Sequence, residues 1–137
     1  MEPLNDVVVV VDDEPNYRDT LIFVLEAQGF PTVSASDGIE GLEALRFHRP
    51  KVVVVDASMP RMDGYQFVRE VRSDRHLRDV FVLFITGSTE HDAQLKAMGA
   101  GADAYMTKPI DHDELLALVG ARFEDRRREE DRPTRPR

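Results

Sequence analysis

The chain has 137 residues, enough for one domain with a real core, and an ordinary apolar fraction of 42%. It contains no cysteine, which excludes disulfides, thiolate metal ligands and cysteine nucleophiles. The net charge of −8 disfavours direct binding of nucleic acid, because phosphate backbones are bound by basic surfaces. The longest apolar run is too short to span a bilayer, and the first residues lack the regions of a signal peptide. We therefore expect a cytoplasmic protein that binds neither membranes nor nucleic acid.

Short apolar runs and helical stretches alternate five times along the chain, which predicts an α/β fold with a parallel sheet. Two of the runs consist of valines and are typical of strands buried on both faces, as in a sheet that helices cover on both sides. The strands are expected at 7–11, 32–35, 52–55, 80–86 and 104–107. The helices are expected at 15–28, from 37 to before Pro50, after 64, at 90–98 and at 111–123.

Local signals indicate where some of these helices begin and end. Pro15 is favoured in the first turn of a helix, and Gly29 is suited to follow its last turn. Asp37 is a typical N-cap, with Glu40 three residues later. The spacing of apolar residues in the helices then predicts one face that packs on the sheet, and this periodicity is weakest in the fourth helix.

The folded domain is predicted to span residues 1–123. Residues 124–137 hold five acids and six arginines, and two prolines near the end interrupt any regular structure. This segment is therefore interpreted as a charged C-terminal tail or as an extension of the last helix. The chain has no internal repeat and no second hydrophobic core.

Polar side chains follow four of the predicted strands at the point where each strand ends. They are Asp12 with Asp13, then Asp56, Thr86 and Lys108. Ligands of open parallel sheets bind outside the carboxyl ends of the strands, so we expect these side chains to share one crevice. Taken singly each is weak evidence, because adjacent acids often form a solvated turn and a single lysine is usually a surface charge.

The residue types in this set suit a divalent cation and a phosphoryl group. Two or three carboxylates with open water positions are typical ligands of Mg²⁺, which also relieves their mutual repulsion. Asp56 is a possible nucleophile, because carboxylates form acyl phosphates, while Lys108 and Thr86 offer a charge and a hydroxyl to phosphate oxygens. The histidines share no spacing typical of metal ligands and are expected at the surface; they are residues 48, 76, 91 and 112.

The motifs that carry these residues resemble the receiver domain of bacterial two-component response regulators. The resemblance covers about residues 5–123 and rests on five motifs in the family's order and spacing. They are Val-Asp-Asp-Glu-Pro (11–15), Asp-Ala-Ser-Met-Pro-Arg-Met-Asp-Gly (56–64), Thr-Gly (86–87), Gly-Ala-Asp-Ala-Tyr (101–105) and Lys-Pro (108–109). The resemblance implies a flavodoxin-like, doubly wound, five-stranded parallel sheet of order 2-1-3-4-5 with five helices.

The resemblance also assigns roles to individual residues. It implies that Asp56 accepts a phosphoryl group from a histidine of a sensor kinase or phosphotransfer protein, with Mg²⁺ as the cofactor. Asp12, Asp13, Asp56 and the backbone carbonyl of Ser58 would bind the Mg²⁺. Thr86 and Lys108 would contact the phosphoryl group.

Further roles concern the response to phosphorylation. Thr86 would move toward the phosphate and Tyr105 would rotate inward, while the bond before Pro109 would be cis. The surface of helix 4, strand 5 and helix 5 would then bind a downstream protein or a second copy of the chain. Such a protein is a signalling switch and not an enzyme, although it catalyses its own phosphorylation and dephosphorylation.

Two other functions fit parts of the same pattern. One is a receiver-like scaffold that acts without phosphorylation, but such proteins usually lack one of the key residues, and all are present here. The other is a Mg²⁺-dependent phosphatase that forms an aspartyl phosphate, as enzymes of the haloacid dehalogenase type do. Those enzymes usually carry a second acid two residues after the nucleophile, where this chain has Ser58.

Overall fold

The structure, a computed structural model, describes residues 6–88 and 92–131. Within these residues, five parallel strands form one sheet in the order 2-1-3-4-5, and helices connect successive strands. The strands are β1 (Val8–Val11), β2 (Thr32–Ala35), β3 (Val52–Asp56), β4 (Phe81–Thr86) and β5 (Ala104–Thr107). The helices are α1 (Pro15–Ala27), α2 (Gly38–His48), α3 (Gly64–Ser73), α4 (Ala93–Ala100) and α5 (His112–Asp131). The predicted doubly wound, flavodoxin-like architecture is confirmed.

The valine runs divide between two hydrophobic layers, because successive side chains of a strand point to opposite faces of the sheet. Val9 and Val55 face one layer, which α2, α3 and α4 cover. Val10 and Val54 face the other layer, which α1 and α5 cover. Each central strand is therefore buried on both sides, and this explains why its sequence is apolar throughout rather than alternating.

The order of the strands creates a crevice at the carboxyl edge of the sheet. The chain moves outward from β1 to β2 on one side, and then returns to the other side of β1 to form β3. The connections on the two sides diverge, so a gap opens beyond the ends of β1 and β3. Val11 pairs with Val55, so the residues that follow, Asp12 and Asp56, lie beside each other at this gap.

Side-chain caps fix the starts of the helices around the crevice. The carboxylate of Glu14 accepts hydrogen bonds from the backbone N–H groups of Asn16 and Tyr17, and thus caps α1. Asp63 and Gln66 form a reciprocal capping box at the start of α3. Asp37 caps α2 as expected, accepting from the N–H of Glu40 at 2.8 Å.

Two helices differ in extent from the sequence-based expectation. α4 begins at Ala93, whereas the expected start at residue 90 lies outside the described residues. α5 continues past residue 123 to Asp131, so part of the charged segment is helical. No helix within the described ranges is long and apolar enough to cross a membrane.

The expectation that all four histidines lie at the surface is wrong for His48. His48 is only 5% exposed and packs edge-on against the ring of Phe47. The cause is its position on the buried face of α2, three residues after Leu45 and six after Leu42. His76 and His112 are exposed, and residue 91 lies outside the described residues.

Candidate functional site

Three carboxylates meet in the crevice beyond β1 and β3. Asp12, Asp13 and Asp56 each offer an oxygen, and these oxygens all lie within 4.8 Å of one another. Asp12 and Asp56 are 1% and 6% exposed, whereas Asp13 is open to solvent. A set of oxygen donors with one open side suits Mg²⁺, which prefers oxygen ligands and retains several waters. The residues present therefore fit this ion.

The buried carboxylates repel one another, and the effect is clearest at Asp12. Burial raises the pKa of Asp12 from 3.8 to about 6. The N–H of Glu14 donates to Asp12 Oδ1 at 2.9 Å and opposes this rise, while the charge of Asp56 adds to it. A cation that entered this cluster would remove the repulsion between the acids, so the site is arranged to bind one.

Lys108 supplies a positive charge from the end of β5. Its Nζ lies 3.0 Å from Asp56 Oδ1 and 4.0 Å from Asp12 Oδ2. Burial alone would lower the pKa of Lys108, but the hydrogen bond and charge of Asp56 and the charge of Asp12 raise it above its usual value. The ammonium group is therefore firmly protonated and directed at the carboxylate of Asp56. The peptide bond between Lys108 and Pro109 is cis.

Thr86 lies at the end of β4, adjacent to β5, and is buried. Its hydroxyl oxygen accepts a hydrogen bond from the N–H of Ser88 at 3.0 Å. The hydroxyl of Tyr105 in turn donates to the carbonyl of Ser88 at 3.3 Å, and its ring stacks on Phe84 at 6.5 Å between centroids. Tyr105 is only partly buried. The segment after Thr86 thus physically joins the threonine to the tyrosine of β5.

The loop after β3 folds tightly over Asp56. The N–H of Ser58 donates to Asp56 Oδ2 at 3.2 Å, while the side chain of Ser58 is exposed. The N–H of Gly64 donates to the carbonyl of Ala57 at 2.9 Å, which brings the start of α3 against the end of β3. A Cβ on Gly64 would lie 2.5 Å from the carbonyl oxygen of Asp56, so only glycine fits this approach.

The sequence analysis missed two residues of the first turn of α1 that contact the site. The ring of Tyr17 lies beneath Lys108, with 4.2 Å from its centroid to Nζ. Arg18 Nη1 donates to the backbone carbonyl of Asp12 at 3.0 Å. The signal that could have identified both is the strong prediction that α1 begins at Pro15, directly after the strand end, so its first turn must border the crevice.

The fold and the acidic crevice define a class of protein, the doubly wound α/β modules with a cluster of carboxylates at the carboxyl edge of the sheet. The family model described as the response regulator receiver domain matches residues 8–120. The chain belongs to this family, as the motifs indicated.

Curated relatives support the same assignment. Response regulator Rre1 of Synechocystis is 35% identical over 86% of this chain and 51% of its own length. The DNA-binding response regulator MtrA of Mycolicibacterium smegmatis is 35% identical over 97% of this chain and 56% of its own length. The chain thus spans about half the length of these relatives.

Solved structures agree with the fold. The receiver domain of a signal transduction histidine kinase from Syntrophus aciditrophicus has a TM-score of 0.82 at 27% identity, over 94% of this chain and 98% of its own. The receiver domain of the Francisella response regulator 1452 has a TM-score of 0.81 at 26% identity, over 88% and 98% of the two chains. In both comparisons the match covers nearly the whole of the solved domain.

Proposed function

We propose that this chain is the phosphorylation-controlled switch of a two-component signalling system and that Asp56 is its phosphoacceptor. The observation that carries the proposal is the geometry around Asp56. This buried carboxylate lies 3.0 Å from the ammonium of Lys108 and within 4.8 Å of ligand oxygens of Asp12 and Asp13. It is held at the end of a buried strand, so little rearrangement is needed before reaction.

In the proposed reaction an oxygen of Asp56 attacks the phosphorus of a phosphohistidine on a sensor kinase or phosphotransfer protein. The new P–O bond forms as the P–N bond breaks, and the leaving imidazole takes up a proton. The outer oxygens of the transferred group bear most of the charge, so catalysis depends on positioning and charge neutralisation. Lys108, already at hydrogen-bond distance from Asp56, is positioned to bind one of these oxygens.

Asp12, Asp13, Asp56 and the backbone carbonyl of Ser58 would hold Mg²⁺. When bound, Mg²⁺ supplies positive charge that draws phosphate oxygens toward the carboxylates and neutralises charge in the transition state. Asp12 is fixed for this role by the N–H of Glu14, and its backbone carbonyl is fixed by Arg18. The exposed Asp13 leaves the outer side of the site open to a donor.

The switch itself is proposed to run through Thr86 and Tyr105. A phosphoryl group on Asp56 offers a new acceptor for the hydroxyl of Thr86, which now accepts from the N–H of Ser88. Movement of Thr86 and Ser88 would displace the hydrogen bond from Tyr105 to the Ser88 carbonyl, and the ring could then turn inward. The surface of α4, β5 and α5 would thereby bind a downstream protein or a second copy of the chain.

The proposed role is that of a switch rather than of an enzyme that turns over a separate substrate. Phosphatases with an aspartyl phosphate usually carry an acid two residues after the nucleophile, and Ser58 offers no such acid. Binding of nucleic acid must be considered separately, because the relative MtrA is named a DNA-binding regulator. This chain matches only about half of the length of MtrA. The proposal that the described domain does not bind nucleic acid itself rests on the net charge of −8.

The proposal is tested by intact mass spectrometry after incubation with acetyl phosphate. Wild type should gain the mass of one phosphoryl group with Mg²⁺ and no mass with a chelator. Asp56→Asn should gain nothing, while the control Asp19→Asn, which changes an exposed acid of α1, should behave as wild type. Equal phosphorylation of the Asp56→Asn variant would refute the proposed acceptor. A folded wild type that no small donor or kinase phosphorylates would favour the phosphorylation-independent scaffold.

A further inference from the structure

A second, separate pocket lies at the opposite edge of the sheet from Asp56. It has a volume of about 260 Å³ and lies below the amino ends of β3 and β4, between the end of α2, the loop after α3 and α5. Lys51, which borders the pocket, precedes β3, whereas Asp56 ends it. At about 3.3 Å per residue, the strand separates the two by about 16 Å. The pocket is therefore no part of the acidic crevice.

The lining of this pocket is strongly basic in a chain that is acidic overall. Arg49, Lys51, His76 and Arg122 border it, with Asp79 as the one carboxylate, although the net charge of the chain is −8. Elsewhere, arginines pair with acids: Arg46 with Asp74, Arg61 with Asp37 and Arg72 with Asp103. Within the described side chains, no carboxylate forms an ion pair with the basic residues of the pocket. The described side chains therefore leave this positive charge without an ion-pair partner.

The guanidinium of Arg122 is held in place beside the pocket. Its guanidinium lies over the ring of Phe81, with 4.9 Å from Cζ to the centroid, which fixes the orientation of the group. Its Nε is buried and has no hydrogen-bond partner among the described residues. Because Nε is closed to solvent while Arg122 borders the pocket, a ligand there would contact the other nitrogens of the guanidinium.

The size and chemistry of the pocket restrict what could fill it. A volume of about 260 Å³ is slightly below the usual range of ligand sites, roughly 300–1,000 Å³, and this favours a small ligand. Arginine and lysine together favour phosphate oxygens, which accept from the planar guanidinium and from the ammonium. Leu45, Leu77 and Val80 add an apolar wall that could contact a short carbon chain.

We propose that this pocket binds a small phosphate monoester, with the guanidinium of Arg122 and the ammonium of Lys51 as donors to the phosphate. The test is a titration followed by ¹H–¹⁵N correlation spectra of the whole chain, in the absence of Mg²⁺. The probes are glycerol 3-phosphate, inorganic phosphate, uncharged glycerol, and sodium chloride at matched ionic strength. Glycerol 3-phosphate should give saturable shifts at the amides of Lys51, Leu77 and Arg122, with a Kd of about 1 mM or below, whereas Ser58 in the acidic crevice should not shift.

Matched variants separate a built site from general attraction of anions. Arg122→Gln and Lys51→Gln should each weaken binding about tenfold, whereas Arg69→Gln, an equal charge change at an exposed site of α3, should leave it unchanged. Inorganic phosphate binding as tightly as glycerol 3-phosphate would assign the site to the free ion and overturn the monoester proposal. Shifts that match those with sodium chloride, or that Arg69→Gln reduces equally, would also overturn it. The proposal would also be overturned if the pocket bound an acidic peptide but none of the small phosphates, because its ligand would then be a protein.

Discussion

Replacing Asp12 with asparagine should stabilise the folded protein in the absence of divalent cations. The Asp12 side chain is buried beside Asp56 and Asp13, and burial raises its pKa from 3.8 to about 6. The folded state therefore holds a proton on Asp12 more tightly than the unfolded state does. At neutral pH the Asp12 carboxyl must ionise although it is buried, and the free-energy cost of burying this charge opposes folding.

The size of the effect follows from the difference between the two pKa values. Each pKa unit corresponds to about 1.4 kcal/mol, so a rise from 3.8 to about 6 corresponds to about 3 kcal/mol at most. This figure already includes the opposing effects of Lys108 and of the Glu14 N–H. Because asparagine must still bury a polar amide in the crevice, we expect a net gain of about 1–2 kcal/mol in the free energy of unfolding. Because the folded-state pKa is raised, wild type loses stability as pH rises from about 4 to about 6. The advantage of the variant is therefore present above pH 6 and absent below about pH 4.

Urea unfolding followed by circular dichroism measures this effect, since the chain has no tryptophan for fluorescence. The unfolding free energies of wild type and Asp12→Asn should be compared at about pH 4 and about pH 7.5, with Asp19→Asn as the control for an exposed acid. Adding Mg²⁺ at neutral pH should stabilise wild type more than Asp12→Asn, because the variant lacks one proposed ligand. A variant that is no more stable than wild type at neutral pH without Mg²⁺ would refute the reasoning. So would an equal gain at both pH values.

Three further substitutions test the packing around the site. Tyr17→Leu should remove about 1 kcal/mol of attraction for the ammonium of Lys108. The NMR chemical shifts of the Lys108 ε-methylene should change in this variant, because the ring current is lost, but not in the control Tyr17→Phe. Identical chemical shifts in both variants would contradict the contact. Gly64→Ala should lower the unfolding free energy by about 1–3 kcal/mol, since its Cβ would lie 2.5 Å from the Asp56 carbonyl oxygen. Gly99→Ala, in open space on α4, should be neutral or slightly stabilising, so equal losses in urea would disprove the steric argument. Arg72→Gln should lower the unfolding free energy by about 1–3 kcal/mol, because Arg72 donates to Asp103 and to the carbonyls before β4 and β5. Thermal unfolding unchanged from that of wild type would exclude this role.

The sheet could be predicted from the sequence because its signals are local. A strand buried on both faces is apolar at every position, and the runs around Val9, Val54 and Leu83 meet this condition without any knowledge of their neighbours. The rule that ligands bind at the carboxyl edge then placed Asp12 and Asp56 together, and the structure brings their oxygens within reach of one cation.

The contacts between distant elements could not be predicted in the same way. Tyr17 reaches Lys108 across the crevice, and the sequence gives no periodic pattern that pairs an aromatic residue of α1 with the end of β5. Arg61 is a similar case: it adopts a left-handed conformation in the loop after β3 and pairs with Asp37 at the start of α2, at 2.9 Å. Such contacts depend on the tertiary arrangement of loops rather than on local propensity.

The burial of His48 follows from the pattern of its own helix. Its spacing from Leu42 and Leu45 follows the period of α2, so burial could have been predicted from the helix alone. The extent of α5 is different, because residues after 123 carry charges that fit a solvated helix and a tail equally well. The sequence left these alternatives open, and the structure continues the helix to Asp131.

Chemical trapping is the most direct test of whether Asp56 carries the phosphoryl group. Protein treated with acetyl phosphate and Mg²⁺ is reduced with borohydride, which converts an aspartyl phosphate to homoserine, and its peptides are then sequenced by mass spectrometry. We predict homoserine at position 56 only, and none when Mg²⁺ is removed. Homoserine at Asp12 or Asp13, or an unmodified Asp56 in protein that has gained a phosphoryl group, would contradict it.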